Sequence, residues 1–112
     1  MKTDKVLLQF VLMQIRKLQD YVSRTDEAGF LENEVLQDAC VLKIISIGEY
    51  THRLSNILKQ DNPQINWAVI KATRNYYVHA YDRINPIRIW ETIQNDIPSL
   101  NDQLTAILQN ES

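Results

Sequence analysis

Glycine and proline are scarce in this 112-residue chain, which holds two of the former and three of the latter, against roughly 7% and 5% in typical soluble proteins. Hairpin turns draw on those residues, so an all-β fold is excluded and long helices with few connections are expected. The lone cysteine, Cys40, can form no intrachain disulfide and has no Cys or His partner at metal-ligand spacing. That excludes a disulfide scaffold and a zinc module, and no metal site is expected. No apolar run approaches the roughly 20 residues of a membrane span, and the opening Met-Lys-Thr-Asp-Lys lacks the uninterrupted apolar stretch of a signal peptide. A soluble, cytoplasmic chain without a membrane partner is the expectation. Excess positive charge is missing too: 12 Lys and Arg face 14 Asp and Glu, a net −2. This argues against a surface that grips nucleic acid everywhere and leaves room for a local basic site. The length suits one domain, residues 1–112, able to bury a core without staples.

What the chain does have is helical periodicity. From Thr3 to about Arg24, Leu7, Val11, Ile15, Leu18 and Val22 recur at spacings of three and four, the mark of one helix face, with Thr3 or Asp4 as a candidate cap. Val6, Phe10, Met13 and Tyr21 form a second apolar stripe on the same helix. A monomer with few helices would struggle to cover both, which points to an oligomer. The stretch Thr25–Phe30 breaks the pattern, and a second helix is predicted from about Asn33 to Lys59. Gly48 lies inside it and shares a face with Val41 and Ser55, which fits either a close helix crossing or a place near a functional site. Cys40 falls among core positions. A third helix is predicted from near Asn66 to about Arg83, a short fourth from Ile87 to Asn95, and a last one opened by Pro98 and running to about Gln109. The fold class is all-α, a four- to five-helix up-and-down bundle.

The third helix carries the chemistry. Val69, Ile70, Thr73, Tyr76, Tyr77, Ala80, Tyr81 and Ile84 make a broad apolar and aromatic side, while Lys71, Asn75, His79, Asp82 and Arg83 gather on the polar side. Arg74 falls at the margin of the aromatic sector, where it either pairs with a buried carboxylate or serves a ligand anion. Arg74 and His79 are five apart, about 140° around an ideal helix, so they flank a surface instead of stacking. Between Lys71 and Arg88, four cations (Lys71, Arg74, Arg83, Arg88) face Asp82 alone, a local excess of +3. Among Trp67, Tyr76, Tyr77 and Tyr81, that excess suits a phosphate-bearing, base-stacking ligand. It equally fits a solvated helix face with its aromatics turned to the core.

The octet Arg74-Asn75-Tyr76-Tyr77-Val78-His79-Ala80-Tyr81 resembles the Arg-x4-His-x-Tyr motif of HepT-like toxins in the HEPN superfamily. Ile47-Gly48-Glu49 with Leu54-Ser55 resembles that family's preceding long helix. Trp67, Ile89-Trp90-Glu91-Thr92-Ile93 and Asp96-Ile97-Pro98-Ser99-Leu100 follow in the expected order, so the likeness spans most of the chain. Asn66 stands where the family often has proline, and Asn85-Pro86 where an acidic residue commonly follows the motif.

The resemblance implies a HEPN-type homodimer whose third helices meet at a cleft. It implies the toxin of a type VII toxin–antitoxin system, a metal-independent endoribonuclease that cuts RNA and not DNA and needs no cofactor of its own. Arg74 and His79 would be catalytic. Imidazole titrates near 6.5 and can give or take a proton at neutrality, and a guanidinium can hold two phosphate oxygens. Asn75 would orient the imidazole or donate to phosphate. Glu49 would line the cleft or pair with Arg74; by spacing alone it belongs to a stripe with Asp38, Ile45, His52 and Asn56 that also reads as a solvent face. Lys71, Arg83 and Arg88 would contact RNA phosphates. Tyr81 resembles the residue to which an MntA-type nucleotidyltransferase antitoxin, using ATP, attaches AMP. One imidazole per chain supplies one proton-transfer role, so a site shared across a dimer follows. The alternative is a non-catalytic helical dimer that serves as binding partner of a nucleotidyltransferase. His52 has no motif support and reads as a surface histidine.

Overall fold

The computed structural model describes residues 2–110. Its helices are α1 (Lys2–Val22), α2 (Glu27–Leu31), α3 (Glu34–His52), α4 (Asn56–Asp61), α5 (Trp67–Ala80), α6 (Pro86–Glu91) and α7 (Ile97–Gln109), with a π-helical turn, Thr92–Asp96, joining α6 to α7. The fold is all-α, and among the described residues there is no strand. Four long units make the body: α1, α3, α5 and the continuous α6–α7, with α2 and α4 as short connectors. α3 packs against α1 and α5, and α7 closes on α1.

Helix α1 buries Leu8, Val11, Ile15, Leu18 and Val22. Leu8 takes the inner position that periodicity assigned to Leu7, which is only partly covered. The second stripe stays out in water: Val6, Phe10, Met13 and Tyr21 are 39–49% exposed. Cys40 is fully buried, and desolvation pushes its thiol pKa up to about 11.

The predicted helix from Asn33 to Lys59 is two helices. Asn33 does cap the first, its Oδ1 accepting from Leu36 N at 3.0 Å. α3 stops at His52, and Ser55 opens α4 by accepting from Leu58 N at 3.1 Å. Ser55 is itself held by Asp4: its N donates to Oδ1 at 2.9 Å and its Oγ to Oδ2 at 2.6 Å. Asp4 is therefore no cap of α1. It is 3% exposed and ties the first turn of the chain to the α3–α4 corner, a partner too remote in sequence for periodicity to reveal.

Asparagines set the other starts. Asn66 caps α5 through Val69 N at 3.1 Å, and Asn85 caps α6 through Ile87 N at 2.9 Å with Pro86 in the first turn. α5 ends at Ala80, three residues short of the predicted Arg83, and residues 81–83 form a turn.

Pro98 stands in the first turn of α7, as predicted, and α7 follows α6 without a break through the π turn. The ring of a helical proline crowds the carbonyl four residues back, and its missing N–H breaks the ladder. Here the preceding π turn absorbs the defect, with Ile97 N donating to Thr92 O. Ile89, Ile93 and Ile97 are buried along this stretch, at the i, i+4, i+8 spacing of one helix face.

Replacing Asp4 by alanine removes both acceptors and leaves the Ser55 N–H without its partner, a loss of about 1–3 kcal/mol to be read from denaturant unfolding. Asp4→Asn keeps one acceptor and is expected to lose less. Equal midpoints for parent and Asp4→Ala would show that this tie contributes nothing.

Candidate active site

The site begins where α3 and α5 cross. A Cβ built on Gly48 would stand 2.5 Å from Arg74 Cβ and 2.7 Å from Arg74 Cγ, far inside normal contact. Gly48 is therefore at a close helix crossing, and what its missing side chain lets in is the stem of Arg74. With its first carbons pressed against the α3 backbone, Arg74 can only choose where its guanidinium goes.

That end is clamped. Nε donates to Glu49 Oε1 at 2.8 Å, Nη2 pairs with the same oxygen, and Nη1 donates to Asn75 Oδ1 at 2.7 Å. Three of the five guanidinium hydrogens are engaged, leaving one on each Nη for a ligand. The Arg74 and Glu49 side chains are 31% and 35% exposed, so Arg74's partner is a half-exposed carboxylate, within reach of an incoming anion. Asn75 spends its carbonyl on Arg74 and does not orient His79; its amide hydrogens remain available to a phosphate.

His79 is exposed on the outer side of α5. Among the described residues its ring has no hydrogen-bond partner, while its backbone carbonyl accepts from Arg83 Nη2 at 3.2 Å. α5 packs chiefly on α3, which leaves the His79 side of the helix open. Within one chain Arg74 turns toward α3 and His79 turns away from it.

The aromatic side of α5 is only partly core. Tyr77 is fully buried, and burial raises its pKa. Thr92 Oγ1 donates to Arg88 O at 2.9 Å, so the hydroxyl contact of 2.7 Å between Tyr77 and Thr92 must have Tyr77 as donor. Val69 and Tyr81 are 55% and 63% exposed, contrary to their place on the predicted apolar side. Tyr81 sits just past the end of α5 over a shallow pocket shared with Val41, Leu42 and Ile45 of α3.

The cationic residues disperse. Lys71 is exposed one turn before Arg74. Arg83 pairs with Asp82 at 3.2 Å, and the Arg88 guanidinium lies 4.0 Å from the centre of the Tyr76 ring. The excess of +3 seen along the sequence is thus lowered by Glu49, which lies outside the segment counted. Among the described residues, no three His, Cys, Asp or Glu side chains gather as a metal-binding group.

Sequence reasoning missed the other wall of the site. A cavity of about 340 Å³ opens between α5 and α7 over Ile44 and Ile47, with Gly48 and Arg74 on one side and Asn95, Asp96 and Gln103 on the other. The π turn aims Asn95 and Asp96 there, and no spacing in the sequence announces it.

The Ribonuclease HepT-like family model matches residues 11–107. The chain belongs to this family. It is 32% identical over 111 residues to "Putative RNase TTE0752" of Caldanaerobacter subterraneus subsp. tengcongensis, covering 99% of both chains. It is 26% identical over 106 residues to "Probable ribonuclease HepT" of Thermococcus cleftensis, covering 95% of this chain and 96% of that one. No solved structure matches significantly.

Gly48→Ala tests the crossing. Alanine favours an exposed helix over glycine by about 1 kcal/mol, yet here the new methyl must push α5 away. Overpacking of this kind costs about 1–3 kcal/mol, so a net destabilisation is expected by chemical denaturation. A more stable variant would mean that α5 shifts freely.

Proposed function

We propose that this chain is a metal-independent endoribonuclease and the toxin of a toxin–antitoxin pair, active as a homodimer. The observation that carries this reading is an arginine clamped by Glu49 and Asn75 with two hydrogens free, on the same helix as an exposed, unengaged His79. The names borne by its relatives support RNA as substrate.

RNA carries its own nucleophile. A base removes the 2′-hydroxyl proton, O2′ attacks the adjacent phosphorus, the bond from phosphorus to O5′ breaks, and an acid returns a proton to the leaving O5′. The products are a 2′,3′-cyclic phosphate and a free 5′-hydroxyl. Arg74 holds the phosphate oxygens as charge builds on them, helped by the amide of Asn75, with Glu49 keeping the guanidinium in place. Lys71, Arg83 and Arg88 contact neighbouring phosphates. His79 supplies one proton transfer, and the His79 of a second copy supplies the other. A dimer is favoured by the open side of α5 and by the exposed α1 stripe.

Restraint by an MntA-type nucleotidyltransferase that places AMP on Tyr81 is part of the same proposal. Exposure supports the choice of residue. Tyr77 is sealed in the core and the face of Tyr76 is covered by Arg88, whereas Tyr81 is 63% exposed. AMP there would add bulk and negative charge two residues from His79.

In excess chelator the purified protein is expected to cut RNA and leave the matching DNA whole. His79→Ala, which removes both proton-transfer groups of the dimer, and Arg74→Ala, which removes the cation on the phosphate, are each expected to lose at least about 100-fold in rate, while keeping the parent's helical content. Parent-like cleavage by both variants would overturn the catalytic assignment and favour a purely binding role. For Tyr81, intact mass after incubation with the partner and ATP is expected to rise by AMP in the parent and not in Tyr81→Phe; an equal rise in both would place the modification elsewhere.

A further inference from the structure

Gly48 also lines a second cavity, of about 270 Å³, on the N-terminal side of the crossing. Its polar walls come from three helices: His52 at the end of α3, Asn56 and Lys59 of α4, and Lys71 of α5, with Trp67 behind them. Among the described residues no carboxylate is in its lining, although acidic residues outnumber basic ones in the chain.

The walls are held firmly. Trp67 Nε1 donates to Lys59 O at 3.2 Å and to Asn62 O at 3.1 Å. Lys59 Nζ donates to His52 O at 2.9 Å and keeps two hydrogens free. Burial and then the nearby charge of Lys71 both push the Lys59 pKa down, against a smaller pull upward from Asp4. Asp4 is spoken for, with both oxygens on Ser55. Two ammonium groups thus repel across a pocket that offers them no anion, a tension that a bound anion would relieve.

Position adds to chemistry. Lys71 precedes Arg74 by three residues, a rise of about 4.5 Å with the two positions about 60° apart around α5, so the two cations leave neighbouring turns of one side of the helix. We infer that Lys59, Lys71, His52 and Asn56 form a second phosphate subsite, which holds the backbone phosphate next to the one engaged by Arg74. The choice of single-stranded RNA as the ligand rests on the ribonuclease reading; the cationic pocket itself does not.

The test uses 2′-O-methyl oligoribonucleotides, which cannot be cleaved because O2′ is blocked, and reads binding by fluorescence anisotropy across a salt series. The ligands are a pentanucleotide and a dinucleotide with one phosphodiester. For the double variant Lys59→Gln with Lys71→Gln, pentanucleotide binding is expected to weaken about tenfold. The slope of log K against log salt should flatten by about 0.7, as losing one single-strand phosphate contact requires. The dinucleotide, whose phosphate goes to Arg74, is expected to lose less than twofold. The double variant Lys59→Arg with Lys71→Arg keeps the charge and should keep the slope, which separates loss of charge from loss of fold. An unchanged pentanucleotide slope in the Gln variant, or equal weakening of both ligands, overturns the subsite. Because cleavage is not read, the subsite can stand if His79→Ala still cuts RNA, and can fall if His79→Ala is inactive.

Discussion

The closeness of α3 and α5 at Gly48 governs the candidate site. Were any side chain present there, α5 would ride higher and Arg74 would swing free on the surface. Instead its stem is trapped against backbone, and the guanidinium emerges where two near neighbours can hold it: Glu49, next to Gly48 in the chain, and Asn75, next to Arg74 itself. Two pairs of consecutive residues on crossing helices thus make a cluster of four. Little conformational freedom remains to be lost when a ligand arrives, which is the condition for strong use of a charged group.

Glu49 has a double effect. An ion pair about one third exposed is worth on the order of 0–1 kcal/mol after solvent screening, so it orients Arg74 without locking it away. A phosphate, with two oxygens to offer a guanidinium, can share or replace the carboxylate. The pair also keeps an unoccupied site from presenting a bare positive charge. His79, by contrast, has no side-chain hydrogen bond among the described residues and lies on the far side of α5, so the two groups of one chain face different directions.

Much of this was legible in the sequence. Residue spacing showed an all-α chain, the second apolar stripe of α1 and the marginal position of Arg74, and it offered a crossing as one of two readings of Gly48. Other features lie beyond what spacing can report. Asp4 finds Ser55 across fifty-one positions, and the resulting corner divides a helix that periodicity read as continuous. Pro98 does stand in the first turn of α7, but its fitness for that place says nothing of the π turn that joins α7 to α6. The exposure of Tyr81 and Val69 depends on where α5 sits at the edge of the bundle, which is a tertiary fact. The pairing of Glu49 with Arg74 stood between two readings because one helix stripe can face either water or a neighbour.

The single cysteine, first met as the reason to exclude disulfides, acquires a practical meaning from its place in the core. Cys40 is fully buried with a thiol pKa of about 11, so at neutral pH it offers almost no thiolate to a labelling reagent. A cysteine introduced at an exposed position would therefore be the one reactive thiol in each chain, with no need to remove the native one. A spectroscopic label on the open side of α5 would then report whether that side is covered in solution.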